Sequence, residues 1–160
     1  MQINLTRYLT VLVTAVTLAL PIAANASHDN ADIDAILMEL EANRKLLVEE
    51  NMNLAAEKKA GFWKVYDAYR TEIMVHEKQG LSLLREFRDH FDDLNNERAA
   101  KILANYFVLE QKTLTVRSSY IDNFTQVISQ KQTLRFYQIE NKLESIIQAD
   151  ISSVTPLVAD

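Results

Sequence analysis

The sequence predicts an all-α protein, an elongated antiparallel helical hairpin of four helices, and three observations carry that expectation. Turn formers are scarce: the chain has two glycines and two prolines in 160 residues. After residue 26 only Gly61, Gly80 and Pro156 remain, too few for the tight turns of a sheet protein. Apolar residues recur at steps of three and four, the helical period. One short pattern also appears three times. Leu54-Ala55-Ala56-Glu57 is followed by Phe62-Trp63, Leu94-Asn95-Asn96-Glu97 by Ile102-Leu103, and Ile128-Ser129-Gln130-Lys131-Gln132 by Phe136-Tyr137. Each copy sets an aliphatic residue before a polar helix start and places a bulky apolar pair a little over two turns later, near the same face.

The first 26 residues read as a secretory signal that is cleaved from the chain. Arg7 is the only charge before the apolar run Leu9–Leu20, Pro21 ends the run, and Ala24-Asn25-Ala26 forms an A-x-A cleavage site. The run is shorter than the ~20 apolar residues a membrane span needs, so no span is expected after cleavage. The expected location is the periplasm, and residues 27–160 are expected to form a single helical domain.

The first helix is expected over 32–50, capped by Asn30 or Asp32. Ile33, Ile36, Leu37, Leu40 and Leu47 form its stripe, which Arg44 interrupts. Asn51-Met52-Asn53 supplies the break, because asparagine favours caps and turns. The second helix is expected over 54–92, with Phe62, Tyr66, Tyr69, Ile73, His76, Gly80, Leu84, Phe87 and Phe91 at nearly heptad steps. It would be roughly 60 Å long at 1.5 Å per residue, which points to a bend or a close helix crossing at Gly80. The third helix is expected over 96–127, with a stripe of Ala99, Ile102, Tyr106, Leu109, Thr113, Val116, Tyr120, Phe124 and Val127. Ser129 and Gln132 make an S-x-x-Q capping box that opens the fourth helix, 129–150, with Phe136, Ile139, Leu143 and Ile146 facing inward. Short links between long helices place neighbours antiparallel.

The formal charge of the whole chain is −5, from 17 basic and 22 acidic residues. Loss of Arg7 with the signal makes it about −6. An acidic protein without a basic face is a poor nucleic-acid binder. The chain has no cysteine, so an exported form holds together by packing alone, with no disulfide and no thiolate ligand.

Isoleucine 128, Ser129 and Gln132 carry a family resemblance. The segment I-S-x-x-Q is similar to the L-T-x-x-Q signature of the Spy/CpxP family of small periplasmic helical proteins. The copies at Leu54 and Leu94 read L-A-x-x-K and L-N-x-x-R and lack the Thr and Gln. The resemblance implies a four-helix hairpin that forms a homodimer. It also implies ATP-independent chaperone activity on unfolded or envelope proteins, or an accessory role in envelope stress. A sensor or partner subunit of a membrane signalling protein, or a metal-responsive sensor, is the alternative it leaves open. The motif and helix-start residues are Leu54, Leu94, Ile128, Ser129 and Gln132.

No catalytic set is apparent. Glu49-Glu50, Asp92-Asp93 and the i, i+4 pair Glu140 and Glu144 sit on expected helix surfaces, where nothing separates their pKa values. Glycine-rich phosphate loops and G-x-S-x-G are absent, and no cofactor is expected. His76 and His90 lie on one helix about 21 Å apart and cannot share an ion. His90, beside Asp89, Asp92 and Asp93, and His28, beside Asp29 and Asp32, are the two weak metal candidates. The aromatics Phe62, Trp63, Tyr66, Tyr69, Phe136 and Tyr137 have two readings. They pack a core where helix ends meet, or part of the set lines an apolar surface for a protein partner. Asn123-Phe124-Thr125 matches a glycosylation acceptor by chance, since Phe124 belongs to an inner stripe.

Overall fold

The computed structural model describes residues 29–158, with side chains described for 41–153 and 155–158. The expected signal segment, His28 and the Ile33–Leu40 side chains of the first stripe lie outside those limits. The described chain is all-α, and it contains no strand. Five helices follow in order: α1 (Asp29–Met52), α2 (Ala56–Asp89), α3 (Asn96–Ser119), α4 (Ile121–Val127) and α5 (Gln130–Val154). None is long and apolar enough to cross a membrane.

The threefold pattern sets the helix starts. α2, α3 and α5 each begin two residues after the aliphatic residue of their copy, at Ala56 after Leu54, Asn96 after Leu94 and Gln130 after Ile128. Two of the three starts are capped by side chains. Asn95 accepts from the backbone N–H of Arg98 at 2.9 Å. Ser129 and Gln132 close a reciprocal box: the Gln132 N–H donates to Ser129 Oγ at 3.2 Å, and the Ser129 N–H donates to Gln132 Oε1 at 3.0 Å. Ala55 has no side chain to offer, so α2 starts without such a cap. The break expected at Asn51-Met52-Asn53 comes later: α1 runs through Asn51 and Met52, and the non-helical residues are Asn53, Leu54 and Ala55. Asn53 takes a positive φ of 48°, which asparagine tolerates better than most residues.

The structure divides into two compact units: residues up to 53 with 135–156, and residues 54–134 with 157–160. In the first, α1 runs antiparallel to the later part of α5, with Arg44 opposite Glu140 and Asn51 opposite Arg135. The buried apolar residues are Leu47, Val48 and Met52 on α1 and Phe136, Ile139 and Leu143 on α5. Steps of three and four put the α5 set on one helix face, and Val48 and Met52 of α1 are likewise four apart, with Leu47 beside them.

The second unit is an antiparallel hairpin of α2 with α3 and α4. Lys101 meets Glu86 near the turn, and Tyr120 meets Glu72 farther along. Its core is confined to the end away from the turn. Phe62, Tyr66, Tyr69 and Ile73 of α2, with Phe124, Ile128 and Thr133, are all buried. Ring centroids of Phe62 and Phe124 are 5.7 Å apart, and those of Tyr69 and Phe124 are 5.8 Å apart.

Several details differ from the sequence reading. α1 spans Asp29–Met52 rather than 32–50, so Asn30 and Asp32 lie inside it instead of capping it, and α5 runs to Val154 rather than 150. The third helix is interrupted at Tyr120, so the expected 96–127 segment is two helices. Neither proline nor glycine causes the break. Beside it Ser118 and Ser119 donate their hydroxyls to the carbonyls of Thr115 and Val116 at 3.0 and 2.9 Å, and backbone hydrogen bonding continues across the interruption, from Tyr120 N–H to Val116 O at 3.3 Å and from Phe124 N–H to Tyr120 O at 3.0 Å. The close crossing expected at Gly80 does not occur: a Cβ there would meet nothing within 4 Å. The close approach is at Gly61, where a Cβ would lie 3.3 Å from Val127 Cγ1. Finally, α2 ends at Asp89 rather than 92, with His90 as its C-cap.

Candidate functional site

The expected aromatics separate by depth. Phe62, Tyr66, Tyr69 and Phe136 are buried, whereas Trp63 and Tyr137 are half-buried. In each repeat the first member of the bulky pair points deeper than the second. Trp63 packs edge-on to both Phe62 and Tyr66, with centroids 5.1 Å away in each case. Within the hairpin unit these contacts are core packing of Phe62, Tyr66 and Tyr69.

The middle repeat behaves differently. Ile102 is half-buried and Leu103 is 58% exposed. α3 contains no buried residue at all. The inner stripe predicted for it does turn toward α2, since Ile102, Leu109 and Val116 are half-buried, but Tyr106 stays 48% exposed. A second row runs beside it. Leu103, Phe107 and Leu114 are each about three-fifths exposed, with Val108 alongside and Ile121 just past the break. Steps of four and seven residues keep Leu103, Phe107 and Leu114 within about 40° of one another around the axis. Ala100, Ala104 and Gln111 flank the row and are also exposed. This row is the candidate interaction surface. The pattern was present in the sequence as a second 3–4 repeat, which the inner stripe overshadowed.

The polar constellations hold structure. Arg44, the interruption in the first stripe, is buried and places Nη1 3.0 Å from Glu140 Oε2, while Glu144 lies 3.7 Å from its Nη2. Glu140 is therefore not on a helix surface as its sequence context suggested; it occupies the stripe of Phe136, Ile139 and Leu143. Arg135 donates through Nε to the Asn51 carbonyl at 2.6 Å. Arg70, also buried, reaches both carboxylate oxygens of Glu77, at 3.0 and 2.9 Å. Lys58 Nζ donates to Gln132 Oε1 at 3.4 Å, so the box glutamine also ties the start of α2 to the start of α5.

Tyr120, at the helix break, donates its hydroxyl proton to Glu72 Oε1 at 2.5 Å. Desolvation is the largest cause of a phenol pKa pushed up to about 12, followed by the hydrogen bond and negative charge of Glu72.

Of the two metal candidates, only His90 lies among the described residues, and it does not assemble a site there. His28 lies outside the described residues. His90 has Nδ1 3.2 Å from Asp93 Oδ1, and Arg98 shares that carboxylate at 3.4 Å, which is the pattern of a solvated helix end. Among the described residues no group of three His, Cys, Asp or Glu side chains is placed to hold an ion. Of the motif residues, Ile128 is buried as part of the core, Leu54 and Leu94 are half-buried, and Ser129 and Gln132 act as the cap.

Compared with known proteins, the chain matches no family model, no curated protein and no solved structure. The likeness to the Spy/CpxP signature therefore rests on the five residues from Ile128 to Gln132.

Proposed function

We propose that this is a non-enzymatic, exported protein that binds other proteins through the exposed row of α3, taking up apolar segments of unfolded or partly folded envelope polypeptides without nucleotide. One observation carries the reading: Leu103, Phe107 and Leu114 form an apolar line on a helix that buries no residue. Apolar side chains grouped on a surface mark interaction sites more often than singly scattered ones do. The expected signal segment supports action in the periplasm. The scattered charges around the row, Lys101, Glu110 and Arg117, would affect encounter rates more than affinity. A shallow single-helix face favours weak, reversible contacts over tight ones.

The test is light scattering from a chemically denatured model protein diluted into buffer with the mature chain. The expected result is suppression at stoichiometric to several-fold ratios, lost in a Phe107→Asp/Leu114→Asp double variant. Unchanged aggregation at several-fold excess sinks the proposal, as does full activity of the double variant. If the row instead seats a second copy of the chain, sedimentation shows a concentration-dependent mass that the same variant abolishes, without any protection of clients.

A further inference from the structure

We infer that residues 76–116, the arm of the α2–α3 hairpin, open and close as a local unit while the base of the same hairpin stays folded. This inference goes beyond the docking proposal and stands without it.

Burial within residues 54–134 is strongly polarised. Phe62, Tyr66, Tyr69, Arg70 and Ile73 are buried, and burial resumes at Phe124, Ile128 and Thr133. Between them, none of residues 74–123 is buried. The arm is joined along its seam by half-buried side chains such as Leu84, Phe87, Ile102 and Leu109, and each retains part of its water contact in the folded state. Free energy from apolar burial scales with the area removed from water. The arm therefore has much less holding it closed per residue than the base, where Phe62 and Phe124 are fully buried against each other.

Both strands of the hairpin carry a boundary at about the same level. On the returning side α3 ends and α4 begins at Tyr120, where φ −87° and ψ −5° depart from regular helix. On α2 the last buried residue is Ile73. Tyr120 and Glu72 join across that level, on the base side of the arm. Sub-global opening follows such divisions, because a segment with few buried contacts and solvent-facing backbone opens at a lower free energy than the core. In the open state the half-buried side chains of both helices, such as Leu84, Phe87, Ile102 and Leu109, become accessible along with the outer row.

The test is native-state hydrogen exchange read by mass spectrometry on the mature protein across low denaturant concentrations. Amides of 76–116 are expected to exchange at least ~100-fold faster, after correction for intrinsic rates, than those of 62–73 and 124–133, with a shallower denaturant dependence. Ile128→Val separates a local unit from a merely weak protein. It removes one buried methyl group in the base, so base amides are expected to exchange about fivefold faster while arm amides keep their rate. A common exchange free energy for arm and base overturns the inference. So does an Ile128→Val variant in which both regions accelerate alike.

Discussion

Arg44 and Glu140 are 96 positions apart in sequence, and their side chains meet at 3.0 Å with 6% and 3% of their surface exposed. Each stands where its helix stripe would otherwise carry an apolar residue: Arg44 with Leu47 and Val48, Glu140 with Phe136 and Leu143. Two charges placed in matching gaps fix the register of α1 against α5, because a slip by one turn would bury each charge against hydrocarbon.

Removing one partner leaves the other charge buried, at a cost of about 3–5 kcal/mol for pairs of this kind. Arg44→Ala and Glu140→Ala are each expected to fall in that range by urea denaturation. An Arg44→Met/Glu140→Leu double variant is expected to recover most of the loss, since a well-packed apolar pair avoids the desolvation penalty. If the single variants cost under about 1 kcal/mol, the behaviour of an exposed pair, the pair is not the register device described here.

The bond between Tyr120 and Glu72 predicts an alkaline limb of stability. The phenol donates to the carboxylate, so folding favours the neutral tyrosine and raises its pKa to about 12. The unfolded value is about 10. For a group raised on folding, the stabilisation is complete below the unfolded pKa and disappears as pH climbs through the folded one. Stability is thus expected to decline between about pH 10 and pH 12, with a shallower decline in Tyr120→Phe. Ultraviolet difference titrations of the folded wild type and of Tyr120→Phe should differ by one phenol that ionises near pH 12. A titration in which Tyr120 ionises with the exposed phenols would contradict this assignment.

The capping box at Ser129 is accessible to a smaller test. Its hydroxyl accepts from the Gln132 N–H, and the Gln132 side chain returns the bond to the Ser129 N–H. Ser129→Ala is expected to cost about 1 kcal/mol, and Ser129→Asp is expected to retain most of the stability because a carboxylate caps as well. Equal midpoints for wild type and Ser129→Ala in a denaturant titration would show that the box is not what starts α5.

The helical class, the antiparallel hairpin and the three helix starts were legible because local rules govern them: period, cap chemistry and the shortage of glycine. Other features depended on what one stripe meets across the core. Arg44 and Glu140 read as an interruption and a surface carboxylate, since a charge in an apolar stripe does not announce its partner 96 residues away. The exposed row of α3 was hidden for a related reason. Leu103, Phe107 and Leu114 run parallel to the inner stripe, and periodicity identifies two faces without telling which one a neighbour covers. Tyr120 looked like one more inner-stripe residue, because the interruption there has no proline or glycine to mark it.

The two glycines make opposite predictions, although both lie inside α2. Glycine in a helix interior costs about 0.5–1 kcal/mol relative to alanine. At Gly80 a Cβ would enter open space, so Gly80→Ala is expected to recover about that amount and to raise the denaturation midpoint. At Gly61 the same methyl group would lie 3.3 Å from Val127 Cγ1 and 3.4 Å from its Cβ. Val127 is β-branched and stiff about χ1, and it immediately precedes the buried Ile128, so it has little freedom to retreat. The crowding offsets the helix-propensity gain, and Gly61→Ala is expected to be neutral or destabilising by up to about 2 kcal/mol. Gly61→Ala combined with Val127→Ala should restore part of any loss by freeing that space. A Gly61→Ala variant that gains as much stability as Gly80→Ala would show that α2 and α4 do not approach as closely as Gly61 and Val127 indicate.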